Sequence, residues 1–226
     1  MRADALAWDT YAKQKPPRRQ VNAAGESTWF NWTQYPDHGP GAEVLGDLGP
    51  RSRVVDLGCG KGGNIAHVAT LGVAEAVGVD VSPPQVKAAE ARWHETGARV
   101  LRAEAVDFLT SVEAGLDAVF SVFGAAWFTD PARMLPAVHR ALRPGGVLAF
   151  SQRPPVEGCY GCQASYIHRE GGAEPLVVRR WDHEPEQWRS ILERHGFEAV
   201  TVEVIPAPEE DRTGTLLVRA ERSGPR

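Results

Sequence analysis

Val54-Val55-Asp56-Leu57-Gly58-Cys59-Gly60-Lys61-Gly62-Gly63-Asn64 reads as a buried strand, a glycine turn and the start of a helix. Sixteen residues beyond Asn64, Asp80 closes a second apolar run, Ala76-Val77-Gly78-Val79. Strand, glycine turn, helix, strand and acid together make a nucleotide-binding half-unit. Gly58-x-Gly60-x-x-Gly63 matches the dinucleotide fingerprint literally. A tight strand-to-helix turn with no ligand would show the same spacing, so the remaining acids have to decide.

Outward from this stretch, the chain keeps alternating. Ser82-Pro83 predicts a helix start, with a hydroxyl to cap free N–H groups and proline in the first turn. Further strands are expected over Arg99–Ala103, Asp117–Val122 and Val147–Ser151, with helices between them. Asp117–Val122 is almost continuously apolar, as a strand covered on both faces should be. The rhythm predicts a parallel sheet with helices on both sides. Residues 152–182 break it with Pro154-Pro155, Gly158, Gly161 and Gly171-Gly172, and read as an insert with Leu176–Trp181 as its best strand. After a helix at Pro185–His195, Phe197–Ile205 and Thr213–Ala220 are expected to pair antiparallel.

Ahead of the first strand lies Trp29-Phe30-Asn31-Trp32-Thr33-Gln34-Tyr35, a dense aromatic patch that reads as an N-terminal flap. Such a flap either packs its rings on the domain or closes one wall of a ligand site. Upstream, a short helix is expected around Ala3–Lys13, followed by a basic run, Lys13–Arg19, that reads as a solvated segment. The whole chain, 1–226, reads as one domain, with 1–41 as helix and flap and 152–182 as a substrate-side insert.

A net charge of −4 carries no electrostatic footprint for nucleic acid or anionic membrane. Three cysteines make no disulfide framework, and the first residues lack the apolar core of a signal peptide, so a cytoplasmic protein is expected. Cys159-Tyr160-Gly161-Cys162 supplies half a zinc site with no second pair spaced to complete it. Composition points to a small-molecule substrate; a monomer or homodimer is expected.

Asp56 stands just ahead of the glycines, where it would repel a pyrophosphate and suit a ligand bearing an amino group. Glu104 ends the third strand on the same sheet edge. Three acids in a row fit a nucleoside with hydroxyls and a cationic tail. The chain is also expected to close on an antiparallel pair, with neither a second half-unit nor a second domain expected for a hydride acceptor.

Here the sequence resembles the class I S-adenosylmethionine-dependent methyltransferases. The residues that carry the resemblance are Val55–Gly62, Gly78–Pro83, Glu104-Ala105, Asp117–Ser121 and Leu142–Leu148, in that order. The resemblance implies an α/β, three-layer Rossmann-like fold with seven strands in the order 3-2-1-4-5-7-6, strand 7 antiparallel. It also implies S-adenosyl-L-methionine as cofactor, held through Asp56, Gly58, Gly60, Asn64, Asp80, Val81, Gln85, Glu104, Ala105 and Ser121. In that scheme Asp56 lies near the methionine ammonium, Asp80 takes the ribose hydroxyls, Val81 and Gln85 flank adenine, and Ser121 lies under the sulfonium.

The fourth strand ends Ser121-Val122-Phe123-Gly124, without the Asn-Pro-Pro-Tyr run of base or glutamine methyltransferases. No acid in Val122–Phe128 starts a magnesium site. The remaining resemblance is to metal-independent small-molecule methyltransferases, many of them antibiotic-pathway enzymes. The expected acceptor is an oxygen or nitrogen of a ring-bearing or apolar metabolite, with Trp29, Trp32, Tyr35, Trp127 and Arg153 lining its site. His38, in the flap, and Tyr160, in the insert, are the candidate bases should the acceptor have to lose a proton. RNA or protein methylation, a NAD-dependent oxidoreductase and a non-catalytic binding module are the competing readings.

Overall fold

The computed structural model describes residues 3–14 and 19–224. In chain order the elements are α1 (Ala3–Gln14), β1 (Arg53–Leu57), α2 (Gly63–Thr70), β2 (Glu75–Asp80), α3 (Pro83–Trp93), β3 (Arg99–Arg102), α4 (Ala105–Ser111) and β4 (Leu116–Val122). There follow α5 (Ala125–Phe128), α6 (Pro131–Ala141), β5 (Leu142–Gln152), β6 (Gly161–Ile167), β7 (Leu176–Asp182), α7 (Pro185–Arg194), β8 (Phe197–Ile205) and β9 (Thr215–Arg222). The middle of the basic run, residues 15–18, lies outside the described residues.

Seven strands form one sheet in the order β3-β2-β1-β4-β5-β9-β8. Counted within that sheet, this is 3-2-1-4-5-7-6. β9 runs antiparallel to β5, with Gln152 opposite Leu216. The central strands are buried on both faces because helices cover both. On one side α4, α6 and α7 bring Leu109, Leu135, Val138, Trp188 and Leu192 onto Val55, Val119 and Phe150. On the other side α2 and α3 bring Ile65, Val68, Val86 and Trp93 onto Val54, Ala118 and Phe120. Parallel crossovers leave every βα turn at the carboxyl edge, so Gly58, Asp80 and Glu104 are neighbours there although up to 46 positions apart.

One local expectation is corrected, and one open choice falls to packing. Ser82 does not cap α3 with its hydroxyl. Its backbone N–H donates to Asp80 Oδ1, and its hydroxyl donates to Asp9 Oδ1 on α1 at 2.5 Å. The aromatic flap is part of the core. Trp32 is fully buried beside Phe30 and Phe120, its Nε1 donates to Gly41 O at 2.8 Å, and Ser151 Oγ donates to its carbonyl at 2.7 Å. Truncating a ring buried this completely costs about 3–5 kcal/mol. These rings therefore stabilise the layer that carries α2.

The insert is a separate two-stranded hairpin, β6 with β7. It packs against α1. Ala7 packs with Ile167 and Val178, Trp8 meets Phe128 edge-on at 4.5 Å, and Gln14 Nε2 donates to His168 O at 2.6 Å. The hairpin is tied to α5 by a buried Asp182. That carboxylate accepts Trp127 Nε1–H and Arg180 Nε–H, both at 2.8 Å.

Candidate functional site

Gly58 begins the turn with φ 75°, a left-handed conformation that disfavours a side chain. A Cβ there would also lie 2.5 Å from the backbone nitrogen of Ala125. The close approach lets the segment after β4 seat against the turn after β1. Gly58 and Cys59 both donate to Val79 O, at 2.9 and 3.0 Å, which hangs the turn on β2. Gly60 N–H then donates to Asp80 Oδ2 at 2.8 Å. With Ser82 N–H on its other oxygen, Asp80 is fixed by two backbone donors and keeps lone pairs on each oxygen facing the cleft.

A cleft of about 830 Å³ opens at this edge. Its floor comes from Gly58, Gly60, Asp80, Val81, Glu104 and Ala105, with Gln85 at the side. Trp8 and Tyr11 of α1, Phe123 and Phe128 near α5, Arg133 of α6, and Arg179 and Trp181 of β7 build the opposite wall. The volume lies in the range of small-molecule and cofactor sites. Phe123 has φ 48°, unusual for a bulky residue and a mark of strain at a functional position. Its ring meets Trp127 edge-on at 6.0 Å.

The electrostatics separate the three acids. Asp56 is buried behind the turn, and among the described residues its Oδ1 has no partner. Burial, and then the charge of Asp80, push its carboxyl well above the usual carboxylate range. Burial also raises Asp80, while the N–H donors of Ser82 and Gly60 pull it down. Glu104 caps α4, its Oε2 accepting Asp107 N–H at 2.8 Å. Burial and the two neighbouring carboxylates push the Cys59 thiol up, which disfavours its thiolate.

Of the cofactor residues expected from sequence, Gly58, Gly60, Asp80, Val81, Gln85, Glu104 and Ala105 line the cleft together. Asn64 does not. It exchanges hydrogen bonds with the backbone of Asn31 and so fastens the flap to α2. Ser121 is buried, its hydroxyl donating to Leu57 O at 2.7 Å and accepting from Ala126 N–H. It braces β4 against β1 and α5, beneath the floor.

The expected substrate and base residues lie elsewhere. All seven histidines are outside the lining of the cleft. His38 Nε2 contacts Pro206 O at 2.7 Å and borders a small surface pocket with Trp29. Tyr35 donates to Thr213 O at 2.7 Å. Trp29 and Trp32 are buried in the flap, and Arg153 is exposed outside the cleft. Trp127 stands behind the wall on Asp182. Tyr160 is half-buried outside the cleft, and its hydroxyl donates to Glu184 at 2.6 Å, which raises its pKa. The aromatic wall that sequence reasoning placed in the flap comes from α1 instead. Trp8 and Tyr11, three apart on one helix, are the only sequence signal for it.

The arrangement fits a cationic nucleoside. Besides Asp56 Oδ1, the buried Gln85 Oε1 has no partner among the described residues, so two acceptors await donors. The carboxylate fixed at the end of β2 suits a ribose and would oppose a diphosphate.

Comparison with known proteins agrees. The family described as methyltransferase domain matches residues 55–150. The chain is 35% identical over 145 residues to trans-aconitate 2-methyltransferase of Methylobacterium nodulans, covering 62% of this chain and 53% of that one. It is 32% identical over 107 residues to malonyl-[acyl-carrier protein] O-methyltransferase of Pseudescherichia vulneris, covering 47% and 41%. The chain thus spans about half the length of the curated relatives it matches. An S-adenosylmethionine-dependent methyltransferase from Mesorhizobium loti superposes with a TM-score of 0.60 at 26% identity, over 79% of this chain and 94% of that one. Residues 55–150 thus match a methyltransferase-domain family, and the fold is shared with S-adenosylmethionine-dependent methyltransferases of known structure.

Proposed function

We propose that the protein transfers a methyl group from S-adenosylmethionine to an oxygen or nitrogen atom of a small, ring-bearing or apolar metabolite, without a metal. The observation that carries this reading is the cleft itself. Asp80 and Glu104 line it, an unpartnered Asp56 is buried behind the glycine turn, and aromatic side chains from α1, α5 and β7 line it as well.

The cofactor supplies an electrophilic methyl on a sulfonium. The residues of this chain bind, align and exclude water. Asp80 accepts the ribose hydroxyls, a charge-assisted pair of bonds for which Gly60 and Ser82 pre-orient it. Val81 and Gln85 hold the adenine side, with the backbone of Ala105 and the carboxylate of Glu104 at its edge. Asp56 faces the ammonium through a bridging water, because it lies behind the turn. Trp8, Tyr11, Phe123 and Phe128 close the acceptor side, so the acceptor is held in line with water displaced.

We further take the protein to act on free metabolites in the cytoplasm, as a monomer or homodimer, in a role such as antibiotic biosynthesis. No helix among the described residues is long and apolar enough to cross a membrane.

Calorimetry with S-adenosylhomocysteine and with NAD tests the cofactor class. Stoichiometric binding of the thioether nucleoside, with no heat from NAD, is expected. The reverse pattern would replace this reading with an oxidoreductase.

A further inference from the structure

Asp80 and Glu104, which follow β2 and β3, line the cleft together with Lys61 of the glycine turn. Beyond β4, two guanidinium groups line the same cavity, Arg133 on α6 and Arg179 on β7. Among the described residues neither guanidinium makes an ion pair or hydrogen bond. Other arginines nearby are committed. Arg180, next in sequence to Arg179, is held by Asp182 at 2.8 Å. Asp130 is the one carboxylate on the lining beyond β4, and its Oδ1 is engaged as the cap of α6 by Ala132 N–H at 2.9 Å.

The lining is also poorly equipped to remove a proton. None of the seven histidines reaches it. Asp80, Glu104 and Asp130 each accept backbone N–H groups, so part of their acceptor capacity is already used within the fold. A hydroxyl or ammonium acceptor would have to shed a proton into such a site. An acceptor that is already an anion would not.

We propose that the acceptor is a carboxylate on an apolar or aromatic body, held by Arg179 and Arg133, and that the product is its methyl ester. This rests on the cofactor reading above. A lone pair of the carboxylate oxygen forms the new O–CH₃ bond. The C–S bond breaks, and its electron pair goes to sulfur, which becomes a neutral thioether. No proton is released, and an anion and a cation become two uncharged groups. Trp8, Phe123, Phe128 and Trp181 would pack the apolar body while the guanidinium groups fix the anionic end.

The test uses the full chain saturated with S-adenosylhomocysteine, whose binding is measured first. Its failure to bind would refute the cofactor reading, separately from this proposal. The loaded protein is then titrated with 4-phenylbutyrate and with its uncharged isostere 4-phenylbutyramide. The carboxylate should bind about tenfold more tightly or better, and Arg179→Gln or Arg133→Gln should reduce that preference about tenfold, the effect of losing ~1.4 kcal/mol. S-adenosylhomocysteine affinity should stay unchanged in both variants. Equal affinity for acid and amide would overturn the proposal. So would variants that weaken the nucleoside instead, since the arginines would then serve the cofactor's own carboxylate. With a tritiated-methyl donor and a small-molecule extract of the source organism, transferred label should be released as volatile methanol by mild base. Label that is transferred but stable to base would equally overturn it.

Discussion

Asp80 Oδ2 accepts the backbone N–H of Gly60 at 2.8 Å, so the acid that ends β2 also shapes the glycine turn that follows β1. Its other oxygen accepts Ser82 N–H at 2.9 Å. One carboxylate thereby sets the glycine turn and the start of α3 together.

Asp80→Asn should therefore damage more than a single contact. An amide can accept only one of the two N–H groups and turns its own NH₂ against the other. Leaving a buried donor unpaired costs about 1–3 kcal/mol. S-adenosylhomocysteine affinity should fall about 30-fold or more by calorimetry, since ~2 kcal/mol corresponds to that ratio. Unchanged affinity would remove Asp80 from the ribose site.

Asp56 links stability to pH. Burial, and secondarily Asp80, raise its folded-state pKa above the unfolded value of about 3.9. The folded protein then holds a proton that the unfolded chain has released. The stability tied to this proton is complete below about pH 3.9 and is lost as pH rises through the folded pKa. In the ligand-free protein, urea-unfolding free energy should fall with rising pH, and Asp56→Asn should flatten that fall. A cationic ligand favours the ionised form. Binding of S-adenosylmethionine should thus release a proton, seen as binding heats that differ between buffers of different ionisation enthalpy.

Gly58→Ala tests the close approach between the two turns. Its Cβ would meet Ala125 N at 2.5 Å, from a φ of 75°. Backbone strain and overpacking each cost about 1–3 kcal/mol. The variant should melt at a lower temperature and lose cofactor binding. A variant as stable as the parent would show that the turn can relax.

Asp182 is expected to position the wall of the cleft. Asp182→Ala leaves the buried Trp127 indole N–H and the Arg180 guanidinium without their partner. Removing one member of a buried pair costs about 3–5 kcal/mol, and somewhat less here because Arg180 is partly exposed. Trp127→Phe should be milder. In both, acceptor KM should rise more than cofactor Kd, because β7 faces the acceptor side. Equal losses for both ligands would indicate general unfolding instead.

His38→Ala and Tyr160→Phe should leave turnover within about twofold, as surface substitutions do away from the chemistry. Both side chains are engaged outside the cleft, on Pro206 and Glu184. A large loss of kcat in His38→Ala would restore it as a base.

The sheet and the cofactor half of the cleft were legible in the sequence, for physical reasons. Strands buried on both faces read as unbroken apolar runs, and the acids that follow Val55, Val79 and Ala103 must share one edge once those runs are parallel. Aromatic density in the flap correctly signalled burial. It could not tell whether Trp32 is buried against Phe120 or against a ligand, because both remove the ring from water equally well. The acceptor wall was illegible for a related reason. Trp8 and Arg179 are 171 positions apart, and only the packing of α1 on the insert hairpin brings them to one cleft. Ser121 and Asn64 show the converse: polar residues in the expected places whose hydrogen bonds are already used within the fold.

The most direct measurement is a crystal structure with S-adenosylhomocysteine bound. Density should fill the cleft beneath Trp8, with both ribose hydroxyls within hydrogen-bond distance of Asp80 and the amino group directed toward Asp56. Density in the flap pocket beside His38, or a ribose that does not contact Asp80, would contradict the assignment of this cleft as the methyl-donor site.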